Sequence, residues 1–138
     1  MTGEQAIDEP KVAEHEIVLS IPAQPEFLRL ARLAAADVGS RSGLAYEDVD
    51  DLRIAVDELC HAIMSGAETG APEPSTLEIR FTLLADGVAI EATCANDTVP
   101  HLNELSAAIL AAVVDEHEIS GGVDGVSRFR MVKHVRFP

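Results

Sequence analysis

The residues with the most obvious chemistry lie together in Asp57-Glu58-Leu59-Cys60-His61-Ala62. Glu58 could serve as a general base or position a water, because a carboxylate held at the right place accepts a proton. The alternative is a solvated carboxylate on a helix surface. Asp57 and His61 are spaced i, i+4, which puts both on one helix face and suits either a metal ion or a surface pair. No further ligand stands at a recognised spacing, so no metal site is expected. Four residues after Glu58 comes Ala62, a methyl group where a second polar group would be needed to share its work.

Two other places carry candidate residues. Arg29 and Arg32 sit one turn apart in Phe27-Leu28-Arg29-Leu30-Ala31-Arg32, as partner contacts or as local ion pairs such as Arg29 with Glu26 at i, i+3. Cys60 and Cys94 are far apart and lack metal-ligand spacing, which is the pattern of reduced core thiols.

The elements that must position these residues follow from hydrophobic spacing. His15–Ile21 alternates, with Ile17, Leu19 and Ile21 on one face, and predicts a strand ending at Pro22. Pro25 and Glu26 open a helix whose apolar stripe is Phe27, Leu30, Ala31, Ala34 and Val38, with Gly39 as its end and Arg29 and Arg32 opposite. Val49, Leu52, Val56, Leu59 and Ile63 form the stripe of a central helix that starts among Glu47, Asp48, Asp50 and Asp51 and ends near Ser65 and Gly66. Gly70–Ser75 reads as an exposed connection. Thr76–Leu84 and Val88–Ala95 flank Ala85-Asp86-Gly87 and predict a hairpin. Leu102, Leu105, Ile109, Ala112 and Val113 predict a third helix over Leu102–Val114. Asp115–Ile119 leads to a Gly-rich turn, and Val126–Phe137 splits by parity, Phe129, Met131, Lys133, Val135 and Phe137 on one face and Arg128, Arg130, His134 and Arg136 on the other. The order β-α-α-β-β-α-β-β fits an α+β fold with helices packed on one face of a mostly antiparallel sheet.

Composition limits the possible partners. At 138 residues and 47% apolar content the chain fits one packed domain, taken as residues 13–138 after a flexible acidic tail at 1–12. A formal charge of −14 repels a phosphate backbone, so direct nucleic-acid binding is not expected, whereas a basic protein surface would be attracted. No apolar run approaches the roughly 20 residues that span a bilayer. A cytoplasmic protein with no membrane partner is the expectation.

Several motifs occur together in a particular order. Ile21-Pro22-Ala23 precedes a Phe/Leu/Arg helix; Asp51-Leu52-Arg53-Ile54-Ala55-Val56-Asp57-Glu58-Leu59-Cys60 lies in the next helix. Ala112-Val113-Val114-Asp115-Glu116-His117-Glu118 closes the third, and Arg130-Met131-Val132-Lys133 lies in the last strand. Across about Glu16 to Val135 this order resembles the anti-sigma-factor serine kinases of the sporulation and general-stress type, a branch of the histidine-kinase-like (GHKL, Bergerat-fold) ATPases. The Ala- and Val-rich, Lys-poor chain looks actinobacterial.

The resemblance implies a Bergerat fold, a sigma factor and a STAS-type anti-anti-sigma protein as partners, and a homodimer. It implies a Glu-x-x-x-Asn motif in which Glu58 fills the first position and Ala62 the second, where a magnesium ligand belongs; a methyl group cannot coordinate a hard cation. Asp97 matches the Asp of an adenine-binding Asp-x-Gly-x-Gly motif, but both Gly positions carry side chains. No Gly-rich lid precedes the third helix, and Glu104 stands where an anion would bind. Arg29, with Arg32, matches the partner-contacting position on the first helix. The resemblance therefore implies a degenerate member with no bound cofactor; the alternative is an active ATP- and magnesium-dependent serine/threonine kinase acting on the antagonist.

Overall fold

This computed structural model describes residues 15–64, 75–96, 98–122 and 124–136. The expected acidic tail at 1–12, the expected helix end at Ser65 and Gly66, most of the Gly70–Ser75 connection, Asp97 and Phe137 lie outside the described residues. The elements run β1 (Glu16–Pro22), a 3-10 turn (Pro25–Phe27), α1 (Leu28–Arg41), α2 (Tyr46–Met64), β2 (Thr76–Leu84), β3 (Gly87–Ala95), α3 (Glu104–Val113), β4 (Glu116–Gly121) and β5 (Val126–His134). The strands form one five-stranded antiparallel sheet in the order β1-β2-β3-β5-β4, with β1 and β4 as its edges.

Strand parity decides what the sheet buries. Ile21, Leu77, Ile79, Phe81, Ile90 and Met131 point to the helical layer and are buried. Each such side chain removed from water is worth about 1.5–3 kcal/mol. The opposite face carries alternating charge. Arg80 faces Glu91, Glu91 faces Arg130 and Arg130 faces Glu118 across four strands.

α2 is the centre of the helical layer. Its stripe is as spaced in the sequence: Leu52, Val56, Leu59 and Ile63 have no exposed surface, and Val49 is partly buried against the core. α1 lies antiparallel beside it and approaches closely at Gly39, where a Cβ would meet Leu52 Cδ2 at 3.1 Å and Leu44 Cδ1 at 3.3 Å. Gly39 therefore lies inside α1 rather than at its end. The helix runs on to Arg41, and Gly43, with φ +89°, turns the chain.

The expected stripes of the two flanking helices hold except at Leu30 of α1 and at Leu105 and Ala112 of α3, which turn outward. α1 buries Leu28, Ala31, Ala35 and Val38, leaving Leu30 45% exposed. The 3-10 turn before Leu28 advances the chain before the α-helix begins, and leucine occurs on both arcs of α1, so spacing alone admits more than one phase. In α3, Leu110 is buried while Leu105 is 69% exposed and Ala112 is also exposed. That helix is apolar nearly all round, so its neighbours select the buried side. The expected lead-in at Asp115–Ile119 is itself the edge strand β4.

Candidate functional site

Glu58 projects from α2 toward the start of α3, and Ser106 Oγ donates to its Oε1 at 2.7 Å. α3 is fixed locally: Asn103 is its cap, accepting from the Ser106 N–H at 2.8 Å, and Glu104 occupies the first turn. A side-chain oxygen at a cap satisfies an otherwise unpaired helix N–H. The negative end of Glu104 also sits where the helix dipole would favour an external anion. One turn beyond Glu58, Ala62 is only 6% exposed, so its methyl group is part of the helix packing.

The connection from β3 to α3 is fastened on several sides. Buried Asn96 donates from Nδ2 to the Ile63 carbonyl at 2.8 Å and accepts from the Thr98 N–H at 3.0 Å. The Ser127 hydroxyl donates to the Thr98 carbonyl at 3.3 Å. Gly122 closes against the same loop, where a Cβ would stand 2.8 Å from Val99 Cγ2.

The other end of α3 is held by a charge. Lys133 has no exposed side-chain surface, and its Nζ donates to the Val113 carbonyl at 2.7 Å with Asp48 at 3.4 Å and Asp51 at 3.5 Å. The acidic start of α2 therefore does more than complement its own dipole: two of its carboxylates compensate a lysine buried under the sheet. Sequence parity put Lys133 on the apolar side of β5, and that was the available signal for this cluster. The Glu58–Ser106 contact had none, since its partners are 48 residues apart.

Of the remaining candidates, Arg32 Nη1 pairs with Asp57 Oδ1 at 2.6 Å, tying α1 to α2. His61 Nδ1 lies 2.9 Å from the Asp57 carbonyl. Asp57 is thus engaged by an arginine, and no group of three or more possible metal-binding side chains occurs among the described residues. Arg29 is exposed and does not pair with Glu26; it is the one Arg or Lys among the described residues without an ion pair. Asp97 cannot be placed, being outside the described residues. Cys60 and Cys94 are both buried free thiols. Burial, with lesser contributions from Asp57 and Cys94, pushes the Cys60 thiol far up, so it stays protonated and unreactive.

Three helices on one face of a five-stranded antiparallel sheet, with a conspicuous Glu on the central helix facing a third helix, define a two-layer α+β domain of the GHKL type. The chain belongs to the family described as Histidine kinase-like ATPase domain, which matches residues 21–122. Among similar proteins, Serine-protein kinase RsbW of Bacillus pumilus is 37% identical over 75 residues, 54% of this chain and 46% of that protein. Serine-protein kinase RsbW of Bacillus subtilis is 46% identical over 74 residues, with the same coverage of 54% and 46%. The chain thus spans about half the length of the curated relatives it matches. A crystal structure of the RsbU and RsbW domains of a Mycobacterium tuberculosis protein superposes with a TM-score of 0.69 at 15% identity, covering 89% of this chain and 33% of that one, which supports the fold.

A histidine-kinase-like ATPase implies a nucleotide and a magnesium ion. The donors on α2 do not fit the ion. Glu58 supplies one carboxylate, already accepting from Ser106, and the next inward position is the Ala62 methyl, which has no lone pair to offer a cation that takes oxygen ligands. No phosphoryl-transfer step follows from this arrangement.

Proposed function

We propose that this chain is an anti-sigma regulatory factor. It sequesters an alternative sigma factor of the stress or sporulation type and is countered by a STAS-type anti-anti-sigma protein, with most of its ATP handling degraded. It works in the cytoplasm as a homodimer, and residues 13–138 are the working domain. The relatives named RsbW support the family role. The observation that supports the loss of nucleotide chemistry is the buried Ala62 methyl one turn from Glu58, where an oxygen ligand for a cation would be needed; Ser106 holds one oxygen of Glu58 in addition. Binding surfaces then remain as the working part.

Arg29 is the leading partner contact, because an exposed guanidinium with no internal carboxylate has its planar fork of donors free. Arg32, half-buried beside it with Nη1 held by Asp57, offers the rest of its fork and keeps α1 in place. Arg29→Glu is expected to reduce retention of the cognate sigma factor at least about tenfold, as loss of an arginine anchor does at other interfaces. Its thermal transition should stay unchanged, because exposed substitutions cost within about 0.5 kcal/mol. Co-purification at the level of the unsubstituted protein would remove α1 from the interface.

A second reading, a serine/threonine kinase phosphorylating the antagonist, is favoured by the name of the relatives, Serine-protein kinase RsbW, and by the retained Glu58. Calorimetry separates the two. At tens of micromolar protein, magnesium-dependent ATP binding is expected to give no saturable heat; a clear isotherm would select the kinase.

A further inference from the structure

The charge ladder on the open face of the sheet stops short. It alternates Arg80, Glu91, Arg130, Glu118 across β2, β3, β5 and β4, and Glu118 stands at the sheet edge. Arg130 turns its guanidinium to Glu91 at 3.5 Å and Glu116 at 3.9 Å, leaving Glu118 without an ion pair among the described residues. The next position in the ladder, on a strand added beside β4, calls for a cation.

The other side of the same edge is mixed, with a few aliphatic side chains among ionisable ones. Ala111 and Val114 of the α3 end, with Asp115, Glu116, His117, Glu118 and Arg130, line a groove of about 470 Å³ along β4, His117 lying on the same side of the strand as Ile119. Ile119 packs inward from β4, and the outward side of α3 continues the apolar surface through exposed Ala108 and Leu105. β4 has no strand on its outer side among the described residues, so a row of backbone donors and acceptors faces the groove.

We propose that the β4 edge and the groove beside α3 dock an extended segment of a partner protein in which Lys or Arg alternates with aliphatic residues. The pairing is by strand addition, which uses main-chain hydrogen bonds for affinity and alternate side chains for selection. Cations of the added strand extend the ladder beside Glu116 and Glu118, and its aliphatic side chains fall on Ala111, Val114, Ile119 and the His117 ring. A second copy of this chain, formally −14, would bring carboxylate against carboxylate here. The other edge, β1, carries exposed Ile17 and Val18 and pairs its Glu16 with Arg80, so it lacks this selectivity for cations. This surface lies apart from Arg29 and stands whether or not the anti-sigma reading holds.

The probe is a peptide of alternating Lys and Val as long as β4, compared with one of the same composition whose Lys residues form a block. The alternating peptide is expected to bind, to slow amide exchange in 116–121, and to lose about tenfold in affinity with Glu118→Lys and less with Glu118→Gln. Glu47→Lys, an equal charge change on an exposed residue of α2, should alter affinity less than about twofold. Equal binding of the block peptide, equal losses from Glu47→Lys and Glu118→Lys, or protection at β1 instead of β4 would each overturn the assignment.

Discussion

Lys133→Ala is expected to lower unfolding free energy by about 3–5 kcal/mol, the usual cost of removing one partner from a buried ion pair. The side chain is fully buried and holds three groups from different elements: Asp48 and Asp51 of α2 and the Val113 carbonyl of α3. Its loss strands Asp48, which is 13% exposed on its side chain and, among the described residues, keeps only Arg136 at 3.9 Å. Because α3 is anchored at this end by Lys133 and at the other by Ser106, its amides should lose exchange protection before those of α2. Urea unfolding checks the magnitude. A loss below about 1 kcal/mol would mean that water reaches the cluster and that the pair behaves as a surface pair.

Gly87→Ala is expected to cost about 1–3 kcal/mol or more, the range for forcing atoms into a packed site. A Cβ at Gly87 would lie 2.2 Å from the Lys133 carbonyl oxygen and 2.8 Å from His134 Cα. The obstacle is backbone, which cannot swing aside as a side chain would. Strand β5 would have to separate from β3 at the Gly87–His134 pair, next to Lys133. The check is a melting curve together with exchange rates for 131–134: destabilisation with unchanged protection there would put the strain elsewhere. Combined with Lys133→Ala, the two costs should not add, since neighbouring sites share their relaxation.

Gly87 also shows what a sequence signal does and does not carry. Asp86-Gly87 marks the hairpin correctly, because a turn is a local event and its residue types report it. The reason for glycine is not local, however: Gly87 is absent from the positive-φ glycines, and it is the approach of β5 that excludes a side chain.

The period-two strands and the central helix were legible because a half-buried strand has only two faces and α2 has a narrow stripe, leaving little freedom of phase. α1 and α3 were misphased at Leu30 and Leu105 because leucine and alanine surround those helices. Both corrections bear on function, since each leaves an exposed leucine beside a proposed docking surface.

By itself the sequence determined the strands and their parity, the existence of three helices, the i, i+4 relation of Glu58 to Ala62, and the acidic charge. Each is set by spacing or composition within a short stretch. Only the tertiary structure decided that Ser106 donates to Glu58, that Lys133 gathers Asp48 and Asp51, that Arg32 is paired while Arg29 is not, and that the charge ladder ends on Glu118. Those facts depend on which distant elements meet, and close packing fixes that only after the helices settle on the sheet.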